Sequence, residues 1–145
     1  MAQLDKTIQE RIDELSNQAY EKFQSNDTDE SFRLLKEAWH LYPDPKDQWG
    51  EAYNNAKYLF EDYIRIEDYQ NAQEWLNKMI SHNNARHLFD GDITFNQGKY
   101  YFETGDYKTA LEKWQQVVKD TGLRYFENEK NEYLHFYNNP DSLIK

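Results

Sequence analysis

The chain contains no cysteine, only three prolines, five glycines and two methionines in 145 residues. Without cysteine there is no disulfide framework, no thiolate metal site and no cysteine nucleophile, a composition that fits a reducing cytosol. No segment approaches the ~18 apolar residues of a membrane-spanning helix. The opening Met1-Ala-Gln-Leu-Asp-Lys6 lacks the apolar stretch of a secretory signal. The expectation is a soluble, cytoplasmic protein. Positive charge is also short. Lys and Arg number 17 against 27 Asp and Glu, for a net charge of −10. Nucleic-acid binders concentrate positive charge, so neither nucleic acid nor a membrane surface is expected as a partner. A cationic partner is favoured instead, because complementary fields speed encounter. The plainer account, that acidity keeps the protein dissolved, stands beside it.

What the chain does have is aromatic side chains: 12 Tyr, 8 Phe and 4 Trp make 17% of its residues. Such residues fill a core efficiently, so a hydrophobic content of 38% is compatible with a folded domain. With few glycines, prolines or β-branched runs, the natural reading is all-α and a single domain over 1–145.

The clearest pattern runs from Gly98-Lys-Tyr-Tyr-Phe-Glu-Thr-Gly-Asp-Tyr-Lys-Thr-Ala110 on through Leu111, Trp114 and Val117. Two helical patterns meet at a Gly-Asp-Tyr turn. Gly98 and Ala110 are small where two helices approach, and Tyr101, Tyr107 and Trp114 fill the space around them. Gly105 suits the left-handed residue that ends a helix. Asp106 suits the cap of the next. This resembles a tetratricopeptide repeat (TPR), a helix–turn–helix unit of roughly 34 residues. Three copies fit the template, at about 12–45, 53–86 and 91–124, with a capping segment at 125–145. In the second, Tyr63, Tyr69, Ala72, Leu76 and Met79 hold the matching places; Phe60 replaces Gly98 and Glu67 replaces Gly105. Its first helix is expected to begin near Asp47. In the first, Ala19, Phe23, the Asn26-Asp27-Thr28 turn, Ser31, Leu35 and Ala38 recur before the stop at Tyr42-Pro-Asp-Pro45. Residues 5–11 extend the first helix, and Tyr133, Leu134, Phe136 and Tyr137 suit a short capping helix. The resemblance implies a TPR-like right-handed α-solenoid, whose repeats stack and form a groove for another protein.

No chemical motif competes with that reading. His40, His82, His87 and His135 form no His-Glu-x-x-His pattern, and no calcium loop, phosphate loop or Gly-x-Ser-x-Gly elbow occurs. No metal, no cofactor and no catalytic residue is expected. Paired acids such as Glu61-Asp62, Glu67-Asp68 and Glu127-Asn-Glu129 read as solvated faces in so acidic a chain. A hydrolase using hidden carboxylates remains a remote alternative.

The aromatic residues divide. Tyr63, Tyr69, Tyr101, Tyr107 and Trp114 coincide with packing positions. Tyr20, Tyr58 and Phe95 fall on the opposite faces of the first helices, the faces that line the concave groove in TPR arrays. The polar residues placed there are Asp13, Asn17, Asn54, Glu61, Asp92, Asn96 and Lys99. Phe23, Ile64 and Phe102 adjoin. Lys57, Arg65 and Lys99 are too few among these acids for a clamp on a terminal carboxylate; an acidic groove with aromatic patches suits a basic protein surface.

Leu41-Tyr-Pro-Asp-Pro-Lys-Asp-Gln-Trp49, the Glu-Asp-Tyr and Gly-Asp-Tyr turns, and Arg124-Tyr-Phe-Glu-Asn-Glu-Lys-Asn-Glu-Tyr-Leu-His-Phe-Tyr137 also make the chain resemble small stand-alone bacterial TPR proteins. That group includes immunity proteins encoded beside secreted polymorphic toxins. The resemblance implies a non-catalytic interaction module that binds and neutralises a toxin domain, with an adaptor that recruits a peptide or cellular protein as the alternative. The pattern is compatible with a monomer or a homodimer.

Overall fold

The computed structural model describes residues 3–145, and among these the protein is all-helical, with seven α-helices and no strand. Met1 and Ala2, part of the opening stretch read above, lie outside the described residues. The helices are α1 (Lys6–Gln24), α2 (Thr28–Leu41), α3 (Gly50–Arg65), α4 (Tyr69–Asn83), α5 (Asp90–Glu103), α6 (Tyr107–Thr121) and α7 (Asn131–Asn138). Short 3₁₀ turns occupy Lys46–Gln48, Arg124–Phe126 and Pro140–Ser142. The helices pair in sequence as three hairpins, α1 with α2, α3 with α4 and α5 with α6, and α2 touches α3 as α4 touches α5. No described helix is long and apolar enough to cross a membrane.

The three hairpin turns share one chemistry. Asn26, Glu67 and Gly105 all adopt positive φ, at 67°, 61° and 91°. The next residue, an aspartate each time, donates its backbone N–H to a carbonyl five residues back: Asp27 to Lys22, Asp68 to Tyr63 and Asp106 to Tyr101, each at 2.9 Å. That bond closes the outgoing helix. The same aspartate then accepts from a backbone N–H of the incoming helix, at Glu30, Asn71 and Thr109, satisfying one of its orphan donors. One residue therefore ends one helix and starts the next.

Counting from those aspartates puts the hairpins in register. Ser31, Ala72 and Ala110, each four residues past its aspartate, are all buried. Ala19, Phe60 and Gly98 match one another eight residues before it. Trp114, fully buried, lies across Gly98, where a Cβ would penetrate the indole. Its Nε1–H donates to the Phe95 carbonyl at 3.0 Å, so the ring is fixed at both edge and face. In the first hairpin the Ser31 hydroxyl donates to the Ala19 carbonyl at 2.7 Å.

Two cores result. One runs through hairpins one and two as far as Ile93 and includes the stacked rings of Phe32 and Tyr63, 3.9 Å apart. The other joins Phe95, Trp114 and Val117 of the third hairpin to Phe126, Tyr133 and Phe136 of the C-terminal segment. The second hairpin departs from expectation at its start. Residues 46–48 form a separate turn and α3 begins at Gly50, because Trp49 is held back by its indole N–H, which donates to the Pro43 carbonyl at 2.8 Å.

Candidate functional site

The candidate residues fall into three rows when the first helices are aligned on Asp27, Asp68 and Asp106. Asp13, Asn54 and Asp92 form one row. Asn17, Tyr58 and Asn96 form the second, and Tyr20, Glu61 and Lys99 the third. Along each row exposure falls from the first hairpin to the third. Tyr20 is 67% exposed and Tyr58 54%, whereas Asn96 is 1% and Lys99 5% exposed. Asp13, Asn17 and Asn54 are open to solvent, and Glu61 is half-buried.

Between α1 and α3 this face opens as a groove of about 660 Å³. Its sides include Tyr20 and Phe23 from α1 and Tyr58 from α3, and its charged groups are Glu61, Asp62 and Arg65, all from α3. The Asp62 carboxylate accepts from Arg65 Nη1 at 2.5 Å, and its side chain is 15% exposed. Burial raises its pKa to about 6, against the opposing pull of Arg65. Glu61 lies 3.9 Å from both Arg65 and Lys99.

At the third hairpin the same face is covered by the chain's own C-terminal segment. Tyr125 and Phe126 stack on and against Phe95, with centroids 5.4 and 5.1 Å away. Glu129 pairs with Lys99 Nζ at 2.9 Å. Tyr133 and Phe136 pack on Phe102, while the Tyr133 hydroxyl donates to Glu103 at 2.7 Å and Lys130 pairs with the same carboxylate. Burial and the Glu103 charge push the Tyr133 phenol well above its ordinary range.

Four expectations are corrected by this arrangement. Phe95, read as a groove aromatic beside Tyr20 and Tyr58, is only 2% exposed. It stands eleven residues before Asp106, whereas Tyr58 stands ten before Asp68. One residue turns a helix by about 100°, which carries Phe95 into the core. Asn96 is interior, its amide donating to the Asp92 carbonyl at 2.7 Å. Asp92 accepts from the Tyr53 hydroxyl and pairs with Lys57 Nζ at 2.9 Å, tying α5 to α3. Burial opposes the Lys57 charge, but Asp92 outweighs it and raises the pKa. Lys99 is spent on Glu129. None of these four presents a free side chain to a partner in this structure.

Three of the acids expected on solvated faces are mostly enclosed: the side chains of Glu61, Asp62 and Glu129 are 19%, 15% and 22% exposed. Sequence alone does not mark Asp62, because a carboxylate beside another in an acidic chain carries no signal of burial. Its place one turn after Tyr58, on the same side of α3, was the available clue.

Among the described residues no group of three or more His, Asp or Glu is placed to hold a metal ion. His82 is buried, with Nε2 2.8 Å from the Trp49 carbonyl, which assigns the proton to that nitrogen. His87 lies 3.3 Å from Asp90 in the α4–α5 connection. No protein-family model matches the chain, and the search of curated proteins returns no match.

Proposed function

We propose that the chain is a TPR-like right-handed solenoid acting in the cytoplasm as a non-catalytic protein-interaction module, and that its partner is a basic toxin domain which it neutralises. The observation that carries the reading is the α1–α3 groove, which two exposed tyrosines and two carboxylates line together. Large exposed aromatic rings that share one concave surface mark interaction sites far more often than single scattered ones. Aromatic residues supply much of the energy at protein interfaces, and surrounding charges set the association rate. A net charge of −10 gives the field the sign that attracts a basic surface. Repetition supports the solenoid: three hairpins share a turn, a cap and a small-residue register. The resemblance to small bacterial TPR proteins supports the neutralising role.

The test is to determine whether the adjacent gene encodes a toxin C-terminal domain and to co-express that domain with this chain. The expected result is restored growth and a complex that survives purification. Tyr58→Ala should weaken that complex by about 1–3 kcal/mol, mainly through faster dissociation. Growth arrest in the presence of the folded wild-type protein would overturn the neutralising role. A complex formed without protection would leave the adaptor reading in its place.

A further inference from the structure

Resting on that reading, we infer that the α1–α3 groove recognises an arginine side chain on an extended or helical segment of the protein partner, its guanidinium seated between Tyr20 and Tyr58 and bonded to Asp62 and Glu61. The groove's geometry comes first. Two of the exposed large side chains, Tyr20 and Tyr58, line the same surface here. Tyrosine faces attract cations, and a guanidinium stacks on them better than an ammonium does.

The groove's charge is uneven. α1 and α2 contribute no charged side chain to it, so its electrostatics come from Glu61, Asp62 and Arg65 alone, a net negative set. The cations that pair with Glu61, Arg65 and Lys99, both lie 3.9 Å away, too far for a hydrogen bond. Asp62 is bonded through one oxygen to Arg65, a residue of its own helix. An ionised carboxyl pair has room for several donors beyond that single contact. Arg65 also shows which donor suits the acids, since its guanidinium already lies on Asp62, while its own side chain remains 58% exposed. A partner arginine would add to it or displace it. The raised Asp62 pKa agrees, because a buried carboxylate with too little compensation gains most from a second cation.

The third hairpin explains why the site ends here. There the matching row residue is Lys99, and Glu129 of the same chain supplies its counter-charge.

The experiment is an NMR titration of the full chain with a short acetylated peptide of alternating Arg and Ala, and with the same peptide carrying citrulline at every Arg. Following the side-chain carboxyl of Asp62 and the rings of Tyr20 and Tyr58, the Arg peptide should shift both rings and move the Asp62 titration below its free value near 6. The citrulline peptide should do neither. Asp62→Asn should weaken the Arg peptide about ten-fold, the size of one hydrogen bond to a charged group. Arg65→Gln, which removes the internal competitor, should tighten it. Shifts centred on residues 127–132 with the Asp62 titration unmoved would overturn the groove assignment and leave a basic partner standing. Equal binding of the citrulline peptide would overturn arginine recognition. Spermidine reproducing every shift would replace the protein segment with a small cation. No binding of any cationic probe, with toxin protection intact, would overturn this inference alone.

Discussion

The first and third hairpins present the same positions to opposite fates. Tyr20 and Lys99 occupy matching places, yet one is mostly in water and the other almost fully enclosed. The difference lies outside both hairpins. At the C-terminal end, residues 124–138 lie along α5 and cover its open face with Tyr125, Phe126, Glu129, Tyr133 and Phe136. An end hairpin has no further neighbour, so its apolar surface must be closed by something of lower symmetry. At the other end, no segment among the described residues covers α1 in this way, and its face is open beside α3. The repeated unit thus sets where side chains point, and the ends of the array decide which of them a partner can reach.

The largest way to break this comparison is through the second core. Trp114 touches Phe95 and Phe102 on α5 and Phe126, Tyr133 and Phe136 in the tail. Trp114→Ala should cost roughly 3–5 kcal/mol. Hydrogen exchange should rise in residues 124–138 before it rises in α1 and α2. Unchanged chemical denaturation would show that the tail does not depend on this ring.

The matched pair tests the comparison itself. Lys99→Ala removes a buried cation and leaves Glu129 without its partner; both carboxylates around it still reach some solvent, so about 2–3 kcal/mol is expected, below a fully buried pair. Tyr20→Ala, at the same register, should change stability by less than about 0.5 kcal/mol. Equal costs at the two positions would mean that the tail is not what separates them.

The helices, turns and small-residue register were legible in the sequence because each rests on local chemistry. Gly105 and Asp106 need only their own backbone to declare a turn, and Ala72, Ala110 and Gly98 need only the approach of one neighbouring helix. The groove was half legible. Helical periodicity read with the TPR template puts Tyr20, Tyr58 and Glu61 on one face, and all three line the groove. Phe95 was misplaced by a single residue, the smallest error a helix allows and enough to turn an interface side chain into a core one. Asp92 and Lys99 were placed on the right helix, but what engages them comes from Tyr53, Lys57 and Glu129, as far as 39 residues away in sequence. Nothing in local pattern encodes those partners.

Asp62 sharpens the contrast through pH. Its folded pKa of about 6 stands above the ordinary carboxyl value of 3.8. Between those values the unfolded chain has released the proton that the folded chain still holds, so stability from this group falls as pH rises from about 4 to 6 and stays lower above it. Asp62→Asn should flatten that part of the profile and raise stability near neutral pH by on the order of 1–2 kcal/mol. A carboxylate that costs stability in the free protein is the kind a partner cation would compensate. Parallel wild-type and variant curves across this window would remove that cost.

A small gain in stability is expected from the turns, where the three hairpins differ at the residue of positive φ. Asn26 tolerates positive φ through its short polar side chain, and Gly105 carries no Cβ to clash. Glu67 has neither advantage at φ 61°. The left-handed conformation costs such a residue about 1–2 kcal/mol, and replacing it with glycine returns that while adding backbone entropy to the unfolded chain, about 0.5–1 kcal/mol in the other direction. Glu67→Gly should therefore stabilise the protein by roughly 0.5–1 kcal/mol. Gly105→Ala should lose about 1 kcal/mol for the reverse reason. Glu67 is exposed and lies outside the α1–α3 groove, so binding of the arginine peptide should not change. A gain in the denaturation midpoint with unaltered binding would show that the turns set stability while the open face sets recognition. A loss on Glu67→Gly would mean that the Glu67 side chain itself holds the second turn, and the three turns would then not be equivalent.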